Sequence, residues 1–450
     1  MTTTVPAHEK QWLGHPRGLF TLFFTEMWER FSYYGMRALL ILYMTGSTVQ
    51  SGLGFDVKYA AHIYALYTFL VYVSGVPGGW IADKFLGHKR AVVVGGVIIA
   101  LGHFSMAIPR LQFFYLGLGL IIIGTGFLKT NVSTIVGSLY RKNDPRRDSG
   151  FAIFYMGINL GAAISPIIVG WLGQKLNWHI GFGAAGVGMV FGVIQYIAGQ
   201  KYLVAASEIE SAMPLEAAVE ETPAANEPFT PADWGRMGAV VILCLFALIF
   251  WAGFEQAGSS LNLFADRATR LTFLGYTYPS SWFQSVEAFG VLIFSGVFAW
   301  LWLFLGRRRA EPSSPLKFLF GLVFASLSFL LLVPAARHFE ATQQRVSPGW
   351  LIGAYLLQTF GELCLSPVGL NLVTKLAPQR VVGLMMGVWF FALGSGNYVA
   401  GWLAGMVQDR SYSQVFMIVF EMIAFAAVIL LLLIKPIKKL MTERATPTVT

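Results

Sequence analysis

An all-α integral membrane protein is the fold class this sequence predicts, with twelve transmembrane helices in two six-helix bundles and no extra helix pair between the halves. Composition, the length of the apolar runs and the placement of Lys and Arg predict it. Of 450 residues 56% are hydrophobic and 12% are charged, about half the roughly 25% charged residues of a soluble domain. Mean hydropathy is +0.61, so lipid rather than water is the expected solvent. Soluble enzymes, disordered scaffolds and disulfide-built secreted domains are excluded on these figures.

A spanning helix needs about 20 mostly apolar residues. Such runs lie at 17–45, 57–82, 90–109, 111–139, 148–173 and 178–202. Six more lie at 235–264, 282–305, 316–335, 349–374, 380–407 and 412–435. The split gives an N-terminal bundle over 1–202 and a C-terminal bundle over 234–450. The stretch 203–233 between them carries Glu208, Glu210, Glu216, Glu220, Glu221, Glu227 and Asp233 among Ala and Pro. It holds no run long enough to span and reads as an acidic cytoplasmic linker.

Orientation follows from where the basic residues sit. Lys84, Lys89 and Arg90 follow helix 2; Arg141, Lys142, Arg146 and Arg147 follow helix 4. Arg307, Arg308 and Arg309 follow helix 8, Lys375 and Arg380 follow helix 10, and the tail adds Lys435, Lys438, Lys439 and Arg444. Both termini are therefore expected on the cytoplasmic side. The net charge of +9 reads as topology and contact with anionic lipid, not as a nucleic-acid surface, because no basic domain stands outside the membrane. Residues 1–16 do not read as a signal peptide. Cys244 and Cys364 fall inside helices and read as packing residues.

Several motif matches carry no chemistry in this setting. Gly181 to Gly186 fits a dinucleotide fingerprint, but no strand precedes it, so close helix packing is expected. Asn131-Val-Ser133 fits a glycan acceptor but lies within a helix. The histidines lack metal-ligand spacing, and no phosphate-binding loop of the Walker type occurs. No cofactor is expected.

Charges inside the helices are the informative remainder. An ionisable group at a helix centre costs about 2.5–3.5 kcal/mol on insertion scales and is functional by default. Positions 26, 29, 30, 33 and 37 of helix 1 advance by threes and fours, which places Glu26, Glu29, Arg30, Tyr33 and Arg37 on one stripe. Lys129, Glu255, Glu287 and Glu362 lie in helices 4, 7, 8 and 10. Five carboxylates thus face three bases, Arg30, Arg37 and Lys129. The imbalance suggests that one or two glutamates exchange protons in the working cycle. Pro166 in helix 5 and Pro367 in helix 10 are expected to interrupt or bend their helices, as helices beside transport sites often do.

Two six-helix halves with a cytoplasmic linker resemble the major facilitator fold. Gly79-Trp-Ile-Ala-Asp83 through Gly87, Lys89 and Arg90 resembles its signature loop, in which the Asp can meet a helix N-terminus and the basic residues hold the cytoplasmic face shut. Three segments are more specific: Glu26-x-x-Glu29-Arg30-Phe31-x-Tyr33-Tyr34-Gly35, Phe151 to Gly161, and Gly361-Glu362 through Ser366-Pro367 and Gly369. They resemble the helix 1, 5 and 10 signatures of the proton-dependent oligopeptide transporter family. Gly124 to Ser133 and Phe254-Glu255-Gln256-x-Gly258 fit as well, so the resemblance spans nearly the whole chain.

The resemblance implies a proton-coupled symporter that imports di- and tripeptides by alternating access and is no enzyme. Arg30, Arg37 and Lys129 would attract the peptide carboxylate; Asn159 and Glu362 would hold its ammonium. Tyr33, Tyr34, Tyr67, Tyr155, Trp251 and Trp389 would line side-chain pockets, with Ser366 in the helix 10 motif. Arg37 with Glu255 and Lys129 with Glu362 would pair and part as access alternates. Glu26 and Glu29 are further proton sites, and His62 with Asp266 would form an outer gate. The chain departs from the family pattern in lacking the two extra helices of many bacterial members, and in reading Gln284-Ser-Val-Glu287 where Asn-Pro usually follows Gln-Ser. Glu287 would then replace an amide contact to the peptide or add a titratable site. Expected partners are peptide, protons and the lipid bilayer of a bacterial inner membrane, with the monomer as working unit. A related symporter for nitrate or a peptide-like drug, a polytopic enzyme and a non-transporting peptide sensor are the alternatives at this stage.

Overall fold

The computed structural model describes residues 11–141, 144–203 and 229–442. Lys142, Arg444 and the linker glutamates from Glu208 to Glu227 lie outside the described residues. Among the described residues twelve long helical segments follow one another: α1 Arg17–Thr45, then α2 Val57–Leu86, α3 His88–Met106, α4 Leu111–Ser138, α5 Arg147–Leu176 and α6 Trp178–Tyr202. After the linker come α7 Pro231–Ala268, α8 Ser280–Arg307, α9 Ser314–Thr342, α10 Gly349–Leu376, α11 Val382–Gln408 and α12 Tyr412–Met441. All but α1 are long and apolar enough to cross a membrane. The 29 residues of α1 are also long enough, about 43 Å at 1.5 Å per residue; its charges lower its hydropathy.

Contacts divide the chain into two compact units, Met1–Leu39 with Val73–Val219, and Leu40–Tyr72 with Glu220–Thr450. In the first, Leu22 of α1, Ile99 of α3, Leu128 and Val132 of α4, Phe154 of α5 and Met189 of α6 form one buried cluster. Glycines let the backbones approach: a Cβ on Gly78 would stand 2.2 Å from the Gly126 carbonyl, and one on Gly95 2.6 Å from that of Gly124. Small residues at crossings are how membrane helices gain close packing without a hydrophobic driving force. In the second unit Phe329 of α9 and Phe264 of α7 meet Phe416 of α12, with ring centroids 6.1 and 5.3 Å apart.

Helix ends carry the local chemistry that stops them. Thr230 caps α7 through a capping box, its hydroxyl accepting from the Asp233 amide while the Asp233 carboxylate accepts from the Thr230 amide; this satisfies donors the helix leaves open. Both α2 and α5 end in a π turn, Ala82–Leu86 and Leu172–Leu176, and Gly87 then adopts φ +74°, a value open mainly to glycine. The interruptions expected at Pro166 and Pro367 are not breaks: helix continues through both. A proline removes one backbone donor, and neighbouring helices can absorb that loss. The break falls instead in α7, where Glu255–Gly258 forms a 3-10 turn between two α segments.

Among the described residues there are also two hairpins, β1 Gln11–Trp12 with β2 His15–Pro16 and β3 Thr272–Phe273 with β4 Tyr276–Thr277. Each turns on a Leu-Gly pair with positive φ at both positions, Leu13-Gly14 and Leu274-Gly275, as a tight two-residue hairpin requires. The first hairpin is anchored by His15, whose Nδ1 lies 2.9 Å from the Tyr140 hydroxyl. Arg146 donates to the Gly14 carbonyl at 3.2 Å and holds Asp144 at 2.8 Å.

Burial, and then the Arg146 charge, push the His15 imidazole below its ordinary value of 6.5, while Asp144 pulls it the other way. Its hydrogen bonds to Arg146 hold the Asp144 carboxyl down. A depressed folded pKa means that docking is at full strength above the unfolded value and weakens as pH falls below it. Protection of the 11–16 amides from hydrogen exchange should therefore drop as pH falls from 7.5 through about 6. His15→Gln should flatten that profile; an unchanged profile in the variant would remove His15 as its cause.

Candidate functional site

In the first unit the charged stripe of α1 is buried as its spacing predicts. Glu26, Glu29, Arg30 and Arg37 are each at most 5% exposed. Arg30 Nε donates to Glu26 Oε1 at 2.9 Å and forms an ion pair with Glu29 Oε2 at 2.5 Å, so one guanidinium faces two carboxylates. Among the described residues Glu26 Oε2, both Glu29 carboxylate oxygens and Arg30 Nη2 have no hydrogen-bond partner. Lys129 of α4 lies close enough for its charge to act on Glu29. Buried charge of this kind is stable only when paired and hydrogen-bonded, and a half-satisfied trio is poised to take up a proton or an ionic ligand.

The neighbouring helices hold the trio in place. A Cβ on Gly161 of α5 would lie 2.2 Å from the Met27 carbonyl and 3.0 Å from Arg30 Cβ, and one on Gly157 would lie 2.8 Å from the Phe23 carbonyl. Behind α1, Thr25 donates to Gln195 of α6 at 3.0 Å. The Arg30 guanidinium sits 5.5 Å from the Tyr33 ring and that of Arg37 5.5 Å from the Tyr34 ring, the two rings meeting edge to face at 5.2 Å. Aromatic faces stabilise a buried cation. On α5, Asn159 is buried and donates to its own helix at the Tyr155 carbonyl, 3.0 Å away.

In the second unit the α7 break carries Glu255, 3% exposed. Gln256 pins the break, donating to the Ala252 and Ala400 carbonyls at 3.2 and 2.9 Å while its oxygen accepts from Ser260 at 2.5 Å. Trp251, one turn before, packs on Phe254 at 4.9 Å and is buried. Thr359 of α10 donates to the Glu287 carbonyl of α8 at 3.4 Å, so Glu287 belongs to the same helix contact as Glu362 and Ser366, which share the Thr359 face by spacing. Glu287 and Glu362 are half-buried. Trp389 lies over Gly369, where a Cβ would come 2.1 Å from its ring. Tyr67 is buried on α2.

His62 and Asp266 hold different partners in this conformation. His62 faces Tyr398, ring centroids 6.4 Å apart, and lines a cavity of about 620 Å³ with Asp56, Lys58, Trp402, Asp409 and Arg410. Asp266 accepts from Ser280 at 2.9 Å. In the signature loop Asp83 stands 3.7 Å from His88, the first residue of α3, and His88 meets Asn131 at 2.7 Å; Lys89 and Arg90 are exposed. Gly79 has ordinary room, and the tight crossing belongs to Gly78. Gly181 and Gly186 pack against Leu39 and Phe104, as a helix-packing motif should.

Three features escaped sequence reasoning. Glu421 is an exposed carboxylate nine residues into α12, and a count of charges inside helix 12 finds it. His103 on α3 is fully buried with neither ring nitrogen bonded among the described residues; a lone histidine in an apolar run is its only signal. The His15–Tyr140–Arg146 anchor joins residues 125 or more apart, beyond the reach of local pattern.

Comparison with known proteins adds a family match and close relatives. A model of the POT family matches residues 89–220 and 229–421. An uncharacterized transporter, YclF, of Bacillus subtilis is 41% identical over 96% of both chains. The peptide transporter YePEPT of Yersinia enterocolitica is 35% identical over 98% of both. A di-/tripeptide transporter of Lactococcus lactis subsp. cremoris is 34% identical over 97% of this chain and 98% of its own. Among solved structures, a peptide transporter POT in complex with alafosfalin superposes with TM-score 0.85 at 37% identity, covering 96% of this chain and 97% of that one. A POT family transporter in complex with 5-aminolevulinic acid gives TM-score 0.85 at 32% identity over 95% and 98%.

Proposed function

Because this chain belongs to the POT family, we infer that it is a multi-pass membrane transporter importing di- and tripeptides together with protons, by alternating access. The observation that carries the reading is the buried mixed charge: Arg30, Arg37 and Glu255 are each no more than 5% exposed. A zwitterion needs a cation for its carboxylate and an anion for its ammonium, and charge-assisted bonds give each roughly twice the strength of a neutral one. Arg37 and Lys129 are assigned to the carboxylate; the Asn159 oxygen and Glu362, with Glu287 nearby, are assigned to the ammonium. Aromatic walls such as Tyr34, Tyr155 and Trp251 tolerate many side chains, because a π face contacts apolar groups without demanding one geometry.

Protons are assigned to Glu26 and Glu29. Both carboxylates face the Arg30 guanidinium, so uptake of a proton by one leaves the guanidinium to the other. Cytoplasmic termini follow in this reading from the distribution of Lys and Arg, and the bacterial inner membrane and the monomer are part of the same proposal.

Competition tests the substrate class. In proteoliposomes preloaded with a dipeptide, counterflow of labelled dialanine should fall at least tenfold with excess unlabelled di- or tripeptide. Free alanine and nitrate should leave it within about twofold, because alanine cannot span both charges at peptide spacing. Inhibition by nitrate and none by peptides would assign the site to a different solute.

A further inference from the structure

Between the end of α9 and the start of α12 lies a crevice lined by none of the residues assigned to peptide or proton. Its volume is about 260 Å³, and it is lined by Arg337, Arg410, Ser413, Gln414, Met417 and Ile418. Neither guanidinium has an ion pair within 4 Å or a side-chain hydrogen bond among the described residues. The carboxylate that could neutralise them is committed elsewhere: Glu340 Oε1 accepts from the Ser413 amide and Oε2 from the Ser413 hydroxyl, both at 2.7 Å. Two exposed arginines flanking one crevice without a counter-ion form a site for an anion of their own shape, and a guanidinium pair matches a phosphate oxygen edge.

Depth and lining narrow the anion. The 29 residues of α9 extend about 43 Å, against a hydrocarbon core of about 30 Å, so each end overshoots by roughly 6 Å. Arg337 lies five residues, about 7 Å, before the end of α9 and so stands at the boundary between acyl chains and headgroups. Below it on the same stripe, three and four residues apart, come Pro334, Leu330 and Leu327, all exposed. On the α12 side the floor is Met417 and Ile418. A charged mouth over an apolar track is the profile of a phospholipid, its phosphate at the top and an acyl chain below; a free phosphate would gain nothing from the track.

We propose that the Arg337–Arg410 crevice binds the phosphodiester of an anionic phospholipid, with an acyl chain lying along Leu330 and Leu327. The experiment uses the full-length protein in detergent, titrated with phosphatidylglycerol, phosphatidylcholine or inorganic phosphate and read by native mass spectrometry as retained ligand. Wild type should retain at least about fivefold more phosphatidylglycerol than phosphatidylcholine. Arg337→Gln/Arg410→Gln should lower phosphatidylglycerol to the phosphatidylcholine level, with a melting temperature like that of wild type showing that the variant is folded. Should the double variant not fold, each single Gln variant must lose at least half of the excess. A tenfold molar excess of inorganic phosphate should displace none of the lipid. Equal retention by variant and wild type, or displacement by phosphate alone, overturns the lipid site.

Discussion

Glu29→Gln should reduce gradient-driven peptide uptake to below one tenth of wild type while leaving counterflow exchange within about threefold. The two assays separate because exchange carries loaded protein back and forth without net proton movement, whereas driven uptake needs a proton to be bound and released. Gln keeps the volume and one acceptor of the carboxylate but cannot cycle a charge. The geometry sets the size of the effect: Glu29 is 1% exposed and is ion-paired at 2.5 Å with Arg30, whose Nε donates to Glu26. A tenfold loss corresponds to about 1.4 kcal/mol, below the several kcal/mol at stake when one member of a buried charged set is removed. Glu26→Gln should act in the same direction. Undiminished driven uptake in both variants would take the proton role away from α1.

Gly161→Leu should have the largest structural consequence of any single substitution near the site. A Cβ there meets the Met27 carbonyl at 2.2 Å, Arg30 Cβ at 3.0 Å and the Phe31 amide nitrogen at 3.0 Å. Two of these atoms are backbone, so nothing can swing aside and α1 must move from α5. Forcing methylenes into a filled contact costs about 1–3 kcal/mol and more where backbone must shift. The expected result is a marked fall in melting temperature or in yield of folded protein, with loss of both driven uptake and counterflow in what remains. Gly119→Leu, where nothing lies within 4 Å of a Cβ, serves as the control and should melt like wild type. If both variants melt alike, the α1–α5 contact is looser than described.

The helices were legible because apolar runs of about 20 residues admit little else. Their starts were legible where a cap or loop marked them, as at Leu111, Trp178 and Gly349, which fall on the expected residues. Other ends were misread by a few residues, since π turns carry α2 to Leu86 and α5 to Leu176 and no composition signal announces i→i+5 bonding. The α1 stripe was legible for a stronger reason: five polar positions on a 3.6-residue period survive any small error in boundaries. The α7 break at Glu255–Gly258 was not legible. Its residues read as a continuation of the helix, and the break is held by Gln256 reaching the Ala400 carbonyl 144 positions away. Nor does sequence show that residues 40–72 join the unit built from the C-terminal half. Periodicity shows which face of a helix is buried, not which neighbour buries it. The charges of the site were visible as residue types, whereas the pairing of one Arg30 guanidinium with both Glu26 and Glu29 shows only in the fold.

Uptake of labelled dialanine into proteoliposomes under an inward proton gradient tests the central claim most directly. The account predicts accumulation at least tenfold above that in vesicles whose gradient a protonophore has collapsed, and it predicts alkalinisation of the outside medium as peptide enters. Equal uptake with and without the gradient, in vesicles that still perform dialanine counterflow, would contradict proton coupling and leave a facilitator in its place.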